Sequence, residues 1–410
     1  MSTASASLAD YRAALTTPGA TPAVLASAVG RLPIAMLTLA TLLYVEGTTG
    51  SYAIAGLVSA GTLVGVSAGS VAQGRLIDRF GPTRPLLLAA ALLVLASGAL
   101  IAAVEAGRPV PALIGLALLT GLVQPALPGA SRALWGVLIP PGRRRDAAYS
   151  YEAISLEVFF ILGPAIAVFL VLMPWPGTGV AVAAGAMVVG ATAFALCHPV
   201  RAQHPGPAGP SIGLLGAIAR PGMRTVALAS LGFGLVIGSV EVGVPAITAT
   251  AGSPALGGVL LSAWAVTSVL AGVAYSLRPW PRPLHQRMPF LLAVFGTCVT
   301  AMALVGPTAS LPVLVVAMLL AGAVITPQVT AHSLAVDDAA PAGTAAEAFG
   351  WVVTAATLGI ALGQSSAGVA VELAGPASAF LVGGGAGGIL AAVIWFRRGT
   401  LAPAPTPVSE

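Results

Sequence analysis

Arg31, Arg132, Glu152, Glu157, Glu241 and Glu347 interrupt long apolar stretches of this 410-residue chain. A charged side chain held in hydrocarbon is costly, and by default it marks the route of a substrate or a proton. Arg31 and Glu157 lie about eight or nine residues inside their apolar runs, about 12 Å deep at a helical rise of about 1.5 Å per residue. Glu157, with Arg31 as its expected partner, is the first choice for a proton-coupling carboxylate. An apolar surrounding holds the proton and an adjacent arginine expels it, so alternation between the two settings loads and releases a proton. Glu241 is the second choice. The competing reading is a static Arg–Glu pair that locks helix packing. Glu152, Glu347 and Arg132 read as gate or interface charges, with Arg132 in reach of Glu152.

A second constellation is "GRLIDRFGPTR", Gly74 to Arg84, which sets Arg75, Asp78, Arg79 and Arg84 in one turn between nearly uncharged runs. Other chemistries find no support. Cys197 and Cys298 both fall in apolar runs, which argues against a disulfide framework or a thiolate metal site. His198, His204, His285 and His332 are scattered, and no phosphate-binding loop is present. The reading is therefore no enzyme, no metal and no cofactor, with an ion gradient in place of a nucleotide as the driving force.

The elements that must position these groups follow from composition. With 57% hydrophobic and 8% charged residues the chain cannot cover a water-facing surface, so it belongs in a bilayer. About 20 apolar residues cross the hydrocarbon core. On that measure the sequence predicts twelve helices, near 23–45, 51–73, 84–104, 110–138, 148–173, 178–197, 224–249, 254–276, 288–306, 310–331, 344–371 and 376–396. All the positive charge behind the net +5 is arginine. Most arginines fall in alternate short loops, so the basic balance does not argue for nucleic acid, no nucleic-acid partner is expected, and both termini are placed in the cytoplasm. Residues 1–22 have no basic segment feeding an apolar core, so they read as a cytoplasmic tail and not a leader.

A Pro/Gly-rich linker, 198–223, separates a bundle at 23–197 from one at 224–397, with a cytoplasmic tail at 398–410; "SIGLLGAIAR" within the linker suits a short surface helix. The two bundles echo each other. "GSYAIAGLVSA" matches "GSPALGGVLLS", "LLTGLVQP" matches "LLAGAVITP", and "EAISLEVFFILG" matches "EAFGWVVTAATLG". Three matches in one order indicate a duplicated six-helix unit, the plan of alternating-access carriers.

Twelve spans in two similar halves, with "GRLIDRFGPTR" between the second and third, resemble the major facilitator superfamily. Gly74, Asp78, Arg79, Gly81 and Arg84 match its signature loop, while Thr83 stands where a first basic residue is usual. "RLPIAM", "ILGPAIAVFL" and "AEAFGW" are similar to actinobacterial members labelled as drug or metabolite exporters. The resemblance implies an all-α membrane protein in two pseudo-symmetric six-helix bundles. It implies that Asp78 caps span 11 and pairs with the arginines when the cytoplasmic side is closed. It places Arg31 and Glu241 on cavity-facing spans. Gly163 and Pro164 match the span 5 signature of proton-coupled exporters, though Ala167 and Val168 replace its paired glycines.

Small-xxx-small stripes, Gly61/Gly65/Gly69 and Gly359/Gly363, suggest that spans 2 and 11 lie close together. Met36, Leu37, Ala40, Val123, Phe233, Val236 and Val324 are expected to line a greasy cavity, with Gln124, Gln328 and Trp264 as sparse polar or aromatic handles. The expected function is proton-coupled efflux of a small lipophilic or amphipathic molecule across the cytoplasmic membrane by a monomer. The alternatives are a proton-coupled importer of an organic acid or other nutrient, with Arg31 as anion anchor, and a non-transporting receptor or assembly protein on this fold.

Overall fold

Long runs of Ala, Leu, Val and Gly with few charges favour helices, because in lipid the backbone must satisfy its hydrogen bonds within the segment. In a computed structural model, residues 7–171, 173–203, 215–253, 255–278, 280, 282–305 and 311–401 are described, and every regular element among them is helical. Eleven helical stretches among them are long and apolar enough to cross a membrane. The expected span at 288–306 is the remaining one. It is a 19-residue helix, Leu284–Met302, with His285, Gln286 and Arg287 in its first turn and Pro289 inside it.

The described chain divides into two compact units, one of residues 7–203 with 342–357, the other of 215–341 with 358–401. The first contains α1 (Leu8–Leu15), α2 (Ala20–Arg31), α3 (Pro33–Thr49), α4 (Tyr52–Phe80), α5 (Thr83–Glu105), α6 (Val110–Leu122), α7 (Leu127–Leu138), α8 (Arg143–Val171), α9 (Thr178–Leu196) and α10 (His198–Arg201). The second contains α11 (Pro221–Thr250), α12 (Ala255–Leu277), α13 (Leu284–Met302), α14 (Leu311–Ala339) and α16 (Ala377–Arg397). The division passes through α15 (Ala345–Ala374), whose first half belongs to the first unit. Of the linker, 204–214 lie outside the described residues, as do 1–6 and 402–410 of the tails. The surface helix expected in the linker is a single 3-10 turn, Gly216–Ala219, where it is described.

Two spans of the first unit have interrupted hydrogen-bond ladders. In the first, α2 and α3 meet at Pro33, which has no N–H to continue the ladder, while Leu32 keeps helical torsions (φ −51°, ψ −42°). The fourth is α6 and α7, interrupted at Val123–Ala126 beside Pro125 and Pro128. Gln73 of α4 satisfies the interrupted backbone. Its Nε2 donates to the carbonyls of Leu122 (2.9 Å) and Gln124 (2.7 Å), and its Oε1 accepts from the Ala126 N–H (3.0 Å).

The glycine stripes pack differently from expectation. Gly61, Gly65 and Gly69 face the carbonyls of Ile114, Leu118 and Leu122 on α6, while Gly359 and Gly363 face Leu231 and Leu235 on α11. Approach of α4 to α15 runs instead through Gly74 and Gly350. A Cβ at Gly74 would stand 2.7 Å from the Ala346 carbonyl oxygen, and one at Gly350 would stand 2.5 Å from that of Ser70. Most side chains expected on a cavity wall are core. Leu37, Ala40 and Val236 are fully buried, and Met36, Val123 and Val324 are nearly so.

Candidate functional site

Arg31 is the last residue of α2, turned inward and 1% exposed. It forms an ion pair with Glu152 of α8, which is equally buried. Arg31 Nη2 also donates to Ser155 Oγ (3.0 Å), and the guanidinium lies 5.5 Å from the Phe159 ring centre. Residues 152, 155 and 159 share one face of α8 because they are spaced by three and four. From α7, Ser131 Oγ (2.7 Å) and Trp135 Nε1 (2.9 Å) donate to Glu152 Oε1. Each carboxylate oxygen therefore has a donor, the condition under which a buried ion pair is tolerated.

This arrangement corrects the expected pairing of Arg31 with Glu157. Five residues on a helix turn through about 140° beyond one full revolution, so Glu157 leaves the face that carries Glu152 and is half-buried elsewhere on α8. Arg132 is buried close to the cluster, with its guanidinium 5.8 Å from the Phe349 ring centre and a long 3.5 Å bond from Nη1 to the Pro128 carbonyl. Its Nε donates to nothing among the described residues, and neither does that of Arg31. Gly163 of α8 packs where a Cβ would stand 3.0 Å from Ala35 and 3.3 Å from the Leu32 carbonyl, beside the interruption at Pro33. Pro164 follows it on the same helix.

The charged turn forms a second cluster. Asp78 Oδ1 accepts from the Ala346 N–H (3.0 Å) and Oδ2 from the Glu347 N–H (2.8 Å), at the first turn of α15. A carboxylate there meets the orphan N–H groups and the positive end of the helix dipole. Gly81 ends α4 at φ +77°, a conformation that favours glycine. The ion pair recorded at this turn is Arg75 Nε to Glu347 Oε1 (3.0 Å), with Trp351 Nε1 donating to the same oxygen (3.1 Å). Arg79 and Arg84, expected as partners of Asp78, are exposed, and neither has an ion pair among the described residues. Arg75 was legible only as one more positive charge.

Between these clusters lies a cavity of about 60 Å³, walled by Ile34, Val66, Ile77, Pro128 and Val353 among others. Its polar side chains are Ser70, which donates to the Val66 carbonyl, and Gln124 at the break in the fourth span, 8% exposed, whose Nε2 has no hydrogen-bond partner among the described residues. In the second unit, Glu241 of α11 is exposed and accepts from Gln364 Nε2 (2.8 Å). Pro245, four residues on, leaves the Glu241 carbonyl without its helical partner.

The family model of the Major Facilitator Superfamily matches residues 23–364. The chain belongs to this superfamily. As a superfamily member it is a multi-pass membrane protein of a transporter family. The human organic anion transporter MFSD10 (TETRAN) is 19% identical, with a TM-score of 0.69 over 92% of this chain and 98% of that one. A bacterial homologue of the iron transporter ferroportin, in its outward-facing state, is 15% identical, with a TM-score of 0.74 over the same shares. The same homologue with soaked iron gives identical values. At these identities the likeness is one of fold. No curated protein sequence matches this superfamily member.

Proposed function

We propose that this protein is a secondary active transporter that exports a small lipophilic or amphipathic molecule across the cytoplasmic membrane by alternating access, in exchange for protons. The observation that carries this reading is the Arg31–Glu152 pair, a carboxylate buried among apolar helices with its cationic partner on a different helix. When Arg31 withdraws, Glu152 keeps only the neutral donors of Ser131 and Trp135 among apolar helices and takes up a proton; when Arg31 returns, the proton leaves. Glu152 thus takes the coupling role that the sequence suggested for Glu157, while Glu157 and Glu241 remain secondary carboxylates on transport helices. The cavity beside the broken fourth span, apolar but for Gln124 and Ser70, whose hydroxyl is taken up by the Val66 carbonyl, suits a greasy solute with a single hydrogen-bond acceptor. Asp78, with Gly74 and Gly81 shaping its turn, holds the start of α15 when the cytoplasmic side is closed. Arg79 and Arg84 orient the loop toward the cytoplasm, where both termini lie, and the working unit is a monomer of two six-helix repeats, 23–197 and 224–397.

A second reading, a carrier of organic acids, is favoured by the Nε groups of Arg31 and Arg132, which have no partner among the described residues, beside one carboxylate. Efflux of lipophilic fluorescent dyes from proteoliposomes under an imposed pH gradient separates these assignments. Glu152→Gln should lower pH-driven efflux at least tenfold and leave dye exchange without a gradient intact, while Glu157→Gln should leave both intact. Unchanged pH-driven efflux in Glu152→Gln would remove this carboxylate from the mechanism. Arg132→Gln should spare neutral dyes and abolish any transport of carboxylate dyes.

A further inference from the structure

The second unit holds a buried titratable group that the scheme above leaves unused. His332 on α14 is 3% exposed, and Gln328, one turn earlier, is fully buried. The amide nitrogen of Gln328 lies 2.9 Å from His332 Nε2, while the amide oxygen has no partner among the described residues. On the other side of the ring, Nδ1 lies 3.5 Å from Ser230 Oγ of α11. Ser230 donates its own proton to the Val226 carbonyl at 3.0 Å, so only lone pairs remain to face the ring. The Phe233 ring meets the imidazole edge-on, with centres 5.8 Å apart.

These contacts fit two protonation states that differ by one half-turn of an amide. With the ring neutral and its proton on Nδ1, the Gln328 N–H donates to Nε2, and the amide oxygen is left over. With the ring doubly protonated, the amide turns. Its oxygen then accepts from Nε2–H, and Ser230 accepts from Nδ1–H. A buried pocket that can present oxygen to both ring nitrogens matches an imidazolium. We infer that His332, with Gln328 and Ser230, is a proton-binding site of the second unit. This deepens the proton-coupled reading by giving the second repeat a proton site of its own.

The charged and titratable groups on the elements packed against α14 are few. On α11 they are Arg224, bonded to the Ile218 carbonyl, and Glu241, bonded to Gln364. Tyr275 of α12 accepts from Arg287 of α13, which also carries His285 and Cys298. Arg398, in the 3-10 turn Arg398–Leu401, donates to the Trp395 carbonyl. On α14 itself, Asp337 and Asp338 follow about one and a half turns beyond His332.

The test is a pH titration of ring-nitrogen NMR shifts in the full chain, labelled with ¹⁵N-histidine and held in lipid nanodiscs. His332→Gln assigns its signal. Should that variant fail to fold, joint replacement of His198, His204 and His285 by Gln leaves the His332 signal alone. The inference expects a midpoint between pH 5 and 8 that Gln328→Leu or Ser230→Ala shifts by about half a unit or more. A ring that stays neutral down to pH 5 overturns it, and so does a midpoint unmoved by both substitutions. Absence of proton flux in proteoliposomes would instead remove the coupling scheme and leave this titration standing.

Discussion

At Glu152 one carboxylate gathers Arg31, Ser131 and Trp135 from two other helices, and Arg31 in turn reaches Ser155. Removing one partner of such a buried pair leaves an uncompensated charge, at a cost of about 3–5 kcal/mol. Arg31→Leu should therefore depress thermal unfolding in detergent strongly, and the double variant Arg31→Leu/Glu152→Leu should recover much of the loss. Additive losses would show that the two side chains are not coupled. The identity of both residues as costly membrane charges was legible in the sequence, but their pairing was not. Linear depth placed Glu157 at the level of Arg31. The helical phase that turns Glu157 away from Arg31, and the face of α2 that carries Arg31 inward, are both fixed by packing.

At the scale of elements, the interruptions in the first and fourth spans lie beside Arg31 and at Gln124. Pro33, Pro125 and Pro128 were visible, yet both spans read as continuous, because proline in a membrane helix signals a kink or a break only through its neighbours. Gln73 is the neighbour that matters for the fourth span. Gln73→Leu strands the Leu122 and Gln124 carbonyls and the Ala126 N–H, which should cost about 1–3 kcal/mol in unfolding free energy and speed amide exchange at Ala126. Unchanged exchange there would mean that the break is held by other contacts. Asp78 and Gly74 act on α15 in a similar way. Asp78→Ala should raise amide exchange at Ala346 and Glu347 about tenfold, the factor given by about 1.4 kcal/mol of lost capping. Asp78→Asn, which keeps an acceptor oxygen, should raise it less. Equal effects of the two would assign the protection to charge alone. The signature turn was readable because its spacing is local. The role of Arg75, which pairs with Glu347 across 272 positions of sequence, was not.

At the scale of the whole molecule, the membrane class and the helical bundle were written in composition and in the lengths of the apolar runs. The two units meet in sequence across the Pro/Gly-rich stretch, whereas the assignment of 342–357 to the first unit reflects Asp78, Gly74 and Thr354, whose hydroxyl donates to the Ser67 carbonyl at 2.6 Å. Cavity walls were the least legible feature, because in a chain this apolar a core side chain and a cavity side chain have the same character. Membership of the superfamily supplies the transporter class, and the proton-coupled export of a greasy solute is the claim that remains to be measured. The direct measurement is simultaneous recording of dye efflux and internal pH in proteoliposomes of the purified protein. Under an inward proton gradient the account predicts uphill dye export accompanied by internal acidification, both collapsing when a protonophore is added. Dye movement that proceeds only downhill, with no proton flux at any pH gradient, would contradict it.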